Sequence, residues 1–281
     1  MIKILNTSKY FFTIVYTLFD YIVQLYGTNS CEIVDRIEED DMNYYLIIDV
    51  RMLKITPINY IIYNFEQLDA IEINEQLWYN FNNAKMILDY SQLNIDFFQS
   101  HNIDATFLPL CWNRYMKINK NININKRQNT FMFIGHLNER RRDMLKPIHT
   151  ICKTHDYNMF ISNECWDNEY NHMLSITKIG LNIHCYNGKT ILEVHRIIPY
   201  ILNKIWVISE RSQDKWYDDL FDDLVTWFDD DNTLACQFTN VLNMSDIDRE
   251  TEVKLRQRKL IEKCSYNKDM IEKLNLNSFL T

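Results

Sequence analysis

Residues able to do chemistry gather in one stretch, residues 178–196 (KIGLNIHCYNGKTILEVHR). An apolar run ends near His184. A loop with Tyr186, Gly188 and Lys189 follows, and a helix is predicted from about Thr190. A strand, a glycine loop and a helix in that order bring backbone N–H groups and the positive end of a helix dipole to one point. This suits a diphosphate, and His184, Tyr186, Gly188, Lys189 and Thr190 become its candidate contacts. Glu193 falls in the predicted first turn. Its carboxylate can accept two hydroxyl hydrogen bonds, as a ribose offers. The alternative is an acid stabilised only by the helix dipole. His195 and Arg196 follow on other faces of the helix, and His195 reads as a surface or packing residue.

Two other motifs fail on inspection. Gly188-Lys189-Thr190 imitates the end of a P-loop, but the earlier glycine such a loop needs is replaced by Ile183, so the phosphate cradle is missing. The 4 glycines, at 27, 135, 180 and 188, cannot form G-x-G-x-x-G. Asp229-Asp230-Asp231 follows an apolar run (LVTWF), and a D-x-D there can hold a divalent metal. It lies in an acidic stretch with Asp218, Asp219, Asp222 and Asp223, which favours a solvated loop.

These residues need a scaffold, and the chain supplies one. It has 281 residues, 47% hydrophobic and 24% charged, an ordinary globular composition. The net charge of −8 argues against a protein that grips nucleic acid by phosphate neutralisation. The 7 cysteines are scattered without C-x2-C spacing, which argues against a zinc ribbon. With no cleavable signal, that pattern implies a cytoplasmic protein. Residues 10–26 (YFFTIVYTLFDYIVQLY) are strongly apolar, but they carry Asp20 and Gln24 and are short for a membrane span, so a buried first helix is expected.

Apolar runs at residues 1–6, 31–37, 44–50, 59–63, 85–88 and 105–110 read as strands, with helices over 73–83 and 94–100. Continuous apolar strands alternating with helices indicate an α/β fold with a parallel sheet covered on both faces. Residues 117–128 (KINKNININKRQ) are polar and basic and read as a linker. The pattern then restarts. Strands are expected at 130–134, 157–162, 178–184, 205–210 and 224–228, and helices at 139–154, 191–203 and 247–274. Two Rossmann-like domains, 1–120 and 121–281, follow.

NFEQL (64–68), DYSQLN (89–94), FIGHLNERR (133–141), the LNIHCY and LEVHRI segments, and VISE (207–210) occur in this order. Together they resemble GT-B glycosyltransferases, specifically small group-1-type enzymes known from bacteria and large DNA viruses. The resemblance covers roughly residues 60–242. It implies two Rossmann-like domains facing across a cleft, with a UDP- or GDP-sugar donor held mainly by the second. In that family Gly135 is the glycine after the first strand of the donor domain, where small size lets phosphates approach. Arg140 or Arg141 is implied as the basic residue that meets the leaving diphosphate, and Glu193 as the ribose carboxylate.

The sequence departs from the family where the first Glu of its E-x7-E pattern falls, at Cys185. The resemblance implies no metal and no other cofactor, an unknown glycan, protein or small-molecule acceptor, and a host-cytoplasmic location if the source is viral. For an inverting reaction the base candidates are Asp49 and Glu66, of which Glu66 is preferred. His136, just after a strand, is placed to reach donor or acceptor. Two alternatives stand beside this reading. One is a GT-B-like module that binds nucleotide sugar without turnover. The other is a metal-dependent GT-A enzyme using Asp229 and Asp231, which requires a single sheet.

Overall fold

A computed structural model describes residues 1–5, 11–38, 42–48, 50–53, 56–117, 124–188, 190–265, 276 and 279, apart from the side chains of 52, 125 and 167. The chain forms two compact units, Met1–Tyr115 with Tyr266–Thr281, and Met116–Ser265. The tail differs from expectation here. Residues 266–281 group with the first unit, where Leu276 is buried and the Phe279 ring packs edge-on to Tyr44 at 4.9 Å. The expected boundary at 120/121 lies outside the described residues, as do Asp49 and Lys189.

The first unit contains β1 (Ile2–Leu5), α1 (Phe12–Tyr26), β2 (Cys31–Val34), β3 (Tyr44–Ile48), β4 (Tyr60–Asn64), α2 (Glu75–Asn83), β5 (Met86–Asp89), α3 (Gln92–Ser100) and β6 (Thr106–Phe107). The strands form one sheet in the order β2-β1-β3-β4-β5-β6. Every pair is parallel. All residues of β1 and β4 are buried, as a sheet covered on both faces requires. Helix α1 buries Ile14, Val15, Leu18 and Ile22, one stripe at helical spacing. The apolar run at 10–26 is therefore a core helix wherever it is described. Its Asp20 pairs with Arg114 at 2.5 Å and accepts from the Tyr115 hydroxyl at 2.9 Å. Among the described residues no helix is long and apolar enough to cross a membrane.

The second unit contains β7 (Thr130–Ile134), α4 (Glu139–Thr154), β8 (Asn158–Ser162), α5 (Asp167–Ile176), β9 (Ile179–Asn182), α6 (Val194–Leu202), β10 (Trp206–Glu210), α7 (Lys215–Leu220), β11 (Thr226–Phe228), α8 (Asp231–Asn243) and α9 (Asp246–Lys263). Its sheet order is β11-β10-β9-β7-β8, again all parallel. In each sheet the first strand sits between the second and the third, so each has a switch point where the strand order reverses. The core of this unit packs Phe131, Phe133, Ile148, Leu181, Ile208 and Phe238. Gly180 in β9 lies under the Tyr200 ring; a Cβ there would stand 2.5 Å from it.

Three helices, α5, α7 and α8, are additional to the sequence expectation. The acidic run at 229–231 is exposed, as a solvated stretch requires, and it leads into a helix that the sequence reading did not include. The Asp230 carboxylate accepts from the Thr233 N–H at 2.8 Å, and Thr233 answers by accepting from the Asp230 N–H at 2.9 Å. Acids are favoured at that end of a helix by its dipole. Asp218 is 6% exposed and accepts from the Ser212 N–H and hydroxyl. The end of the expected linker is also tied down. The buried Arg127 guanidinium donates to the carbonyls of Leu174, Asn203 and Lys204, at the C-terminal ends of α5 and α6. Burial lowers its pKa to about 10.

Candidate functional site

Ligands of open α/β sheets bind beyond the carboxyl ends of the strands at the switch point. In the second unit that point lies between β7 and β9. The chain leaves β7 through Gly135 and His136, leaves β9 through Ile183 and His184, and leaves neighbouring β10 at Glu210. Helix α4, N-capped by Asn138, supplies Arg140 and Arg141, and α6 supplies Arg196.

These side chains form one cluster. Arg140 pairs with Glu210 and donates to the His184 carbonyl at 2.8 Å. The other Glu210 oxygen accepts from the His184 N–H at 2.9 Å. Arg141, 2% exposed, donates to the Ile183 carbonyl from Nε and Nη2, and to the His136 carbonyl from Nη1. Its Nη2 lies 3.4 Å from Glu193 Oε1. Glu193 Oε2 accepts from Asn182 Nδ2 at 3.0 Å and faces His184 Nδ1 at 2.8 Å. Arg196 Nη1 donates to Asn182 Oδ1 at 2.5 Å.

His184 is fully buried, and each of its ring nitrogens meets an acceptor: Nδ1 the Glu193 carboxylate, and Nε2 the Arg211 carbonyl at 3.2 Å. Only an imidazolium satisfies both. Burial alone favours the neutral ring, but Glu193, then Glu210, outweigh it and raise the His184 pKa. Burial likewise works against the Glu193 charge, yet His184, Arg196 and Arg141 hold its pKa well below the usual carboxylate range. The cluster therefore carries four cations, Arg140, Arg141, His184 and Arg196, against two carboxylates, Glu193 and Glu210.

The sequence-predicted residues divide accordingly. Gly135, Arg140, Arg141, His184 and Glu193 come together. His136 is exposed and joins the cluster through its carbonyl. Tyr186 and Gly188 are exposed in the loop, and Gly188 has φ +98°. Thr190 is buried and its carbonyl accepts from the Gln213 N–H. Helix α6 starts at Val194, later than expected, and residues Ile191 to Val194 are all buried. Glu193 is its N-cap, and the Val194 and Arg196 N–H groups turn back to the Leu192 and Glu193 carbonyls. The expected open helix start at Thr190 is absent because the apolar pair Ile191-Leu192 is drawn into the core. Arg196 and Glu210 were not marked as site residues by the sequence, although each sits in a quoted segment, LEVHRI and VISE.

Glu66 lies in the first unit, after β4. It pairs with Arg51, and its carbonyl accepts from Asn64 and Asn94. The buried Asp89 carboxylate accepts from Asn64 Nδ2 at 2.7 Å, the Ser91 N–H at 2.8 Å and Asn94 Nδ2 at 3.0 Å. NFEQL and DYSQLN are thus two halves of one interlocked loop pair. Among the described residues no three His, Cys, Asp or Glu side chains group so as to hold a metal ion. Asp231 opens α8, while Asp229 lies 3.6 Å from Arg211.

The sequence matches no protein-family model and no curated protein. Solved structures do match. Anabaena HepE in complex with UDP and glucose is 8% identical, with a TM-score of 0.57 over 99% of this chain and 98% of that one. TarM is 10% identical, with a TM-score of 0.58 over 85% of this chain. The E. coli trehalose-6-phosphate structure bound with UDP-2-fluoro glucose is 9% identical, with a TM-score of 0.52 over 96% of this chain and 77% of that one. The chain has the GT-B fold. It spans just over half of TarM, 55% of that chain. The GT-B fold has two sheets, as found here, where the GT-A alternative requires a single one.

Proposed function

We propose that the protein is a glycosyltransferase that moves a sugar from a nucleoside-diphosphate sugar to an acceptor hydroxyl or other nucleophile, without a metal. The observation that carries this reading is the cationic switch point of a GT-B second unit, with four positive groups against two negative ones. A nucleoside diphosphate brings the complementary charge. UDP is the favoured base because HepE and the E. coli structure are described with UDP and UDP-2-fluoro glucose. GDP remains in the test.

In this reading the bond from the anomeric carbon to the diphosphate oxygen breaks, and its electron pair stays on the diphosphate. The acceptor oxygen forms the new bond and releases its proton to a base. Fixed cations stabilise the departing charge without reorganising. Gly135 leaves room for the phosphates, with Gly188, Lys189 and Thr190 along the loop and Tyr186 beside the sugar or base. Arg140, tied to Glu210, and Arg141, tied to backbone carbonyls, shape the cationic field. A ribose hydroxyl would approach Glu193 at Oε1, whose one contact among the described residues is the long one to Arg141. Glu66 or His136 would take the acceptor proton. The protein would work in a cytoplasm, that of a host if the source is viral.

The test is release of UDP or GDP from a panel of nucleotide sugars, with and without chelator. Release from at least one donor, insensitive to chelator, supports the reading. Tight donor binding with no release across a broad acceptor screen would instead establish the turnover-free module that Cys185, at the family's Glu position, allows. No nucleotide-sugar binding at all would end both.

A further inference from the structure

Resting on the donor reading above, we infer that Arg196 is the residue that receives the donor diphosphate. Four guanidinium groups stand at the carboxyl ends of β7, β9 and β10, and they are differently employed; Arg211, just after β10, faces Asp222 at 3.9 Å and Asp229 at 3.6 Å. Arg140 spends its two ends on Glu210 and the His184 carbonyl. Arg141 is buried, and its Nε, Nη1 and Nη2 are all taken by carbonyls. Arg196 is only half-buried. Among the described residues it has no carboxylate within ion-pair distance, and one of its five N–H donors is used, toward Asn182.

Position points the same way. A Cβ on Gly135 would stand 3.0 Å from Arg196 Nη2 and 3.3 Å from Arg141 Nη1. Gly135 also has φ +154°, which other residues rarely adopt. The glycine therefore lets the Arg196 guanidinium stand close to the end of β7, where a side chain would press on it. That guanidinium is held ready. It lies over the Phe133 ring at 5.9 Å, and its anchor Asn182 is itself fixed by Glu193 and Ser209, both at 3.0 Å. A planar fork fixed in this way binds a phosphate in two places without first losing side-chain freedom. Glu193 then has a second task as a positioning residue, because it aims Asn182 and through it Arg196.

Calorimetry on the full chain separates this assignment from the donor reading. The probes are UDP, GDP, uridine and inorganic pyrophosphate, and the variants are Arg196→Gln and Arg196→Lys. We expect Arg196→Gln to weaken the bound nucleoside diphosphate and pyrophosphate about tenfold or more while uridine binding stays put. Arg196→Lys, which keeps charge but loses the fork, should fall between, and it serves alone if the Gln variant does not fold. Unchanged diphosphate affinity in both variants would overturn the assignment and leave the donor reading intact. Pyrophosphate binding through Arg196 with no affinity for UDP or GDP would keep the assignment and overturn the donor reading.

Discussion

The two units solve the same topological problem with different chemistry. Each is a parallel sheet with its first strand between the second and third. At the strand ends of the first unit, the buried Asp89 accepts from amide and backbone donors of Asn64, Asn94 and Ser91, and the Arg51–Glu66 ion pair is partly exposed. At the strand ends of the second unit, the buried groups are Arg141, His184 and Glu193, and they are ionic. One end braces loops around a buried carboxylate held by amides; the other gathers Arg140, Arg141, His184 and Arg196 around Glu193 and Glu210. Topology gives the place for a ligand, and only the side chains decide which ligand.

The largest difference should appear on deleting the central acid of each end. Glu193→Ala leaves Arg141 and His184 buried without their counter-charge, and should cost about 3–5 kcal/mol in urea unfolding. Asp89→Ala leaves buried donors unmatched and should cost about 1–3 kcal/mol. Equal losses, or a larger one for Asp89→Ala, would break the contrast.

Next comes a packing control within the second unit. Gly180→Ala forces a Cβ into the Tyr200 ring and should cost about 1–3 kcal/mol by overpacking. It touches no charge, so its loss should not vary with pH.

The strand ends of the second unit should also respond to pH. The His184 pKa is raised, so its contribution is full below its ordinary value of 6.5 and is lost as pH rises through the folded value. The Glu193 pKa is lowered, so its contribution is full above 4.5 and is lost as pH falls through the folded value. Thermal unfolding of the wild type should therefore occur at a higher temperature at pH 6 than at pH 9. Glu193→Gln should shrink that difference. A wild-type difference that survives in Glu193→Gln would place its origin elsewhere. The smallest effect belongs to Arg51→Ala. Its pair with Glu66 is 40% exposed on the Arg51 side, so stability should change by less than about 1 kcal/mol.

Much of this architecture was legible in the sequence, because buried parallel strands announce themselves. TFMFI, YYLII and WVISE read as strands and are strands β7, β3 and β10. Helix α4 runs over the predicted residues 139–154. The losses have physical causes. Helix α8 was hidden because its Asp230 cap reads as an acidic loop until Thr233 is seen to close the capping box. The start of α6 was misplaced because Ile191-Leu192 is apolar in either a helix or a buried loop. The resemblance pointed to Gly135, and the local sequence to Glu193, as candidate neighbours of a ligand, but neither could show that Arg141 would be consumed by carbonyls while Arg196 keeps donors to spare. That division depends on contacts between residues far apart in the chain, such as Arg141 with Ile183 and Gly135 with Arg196.

In the proposed function the strand ends of the second unit hold a nucleoside diphosphate. A co-crystal structure with UDP or GDP tests it most directly. The expected result is a diphosphate against Gly135 and the Arg196 guanidinium, with the ribose toward Glu193. A nucleotide bound away from β7 and β9, with that end of the sheet empty, would contradict it.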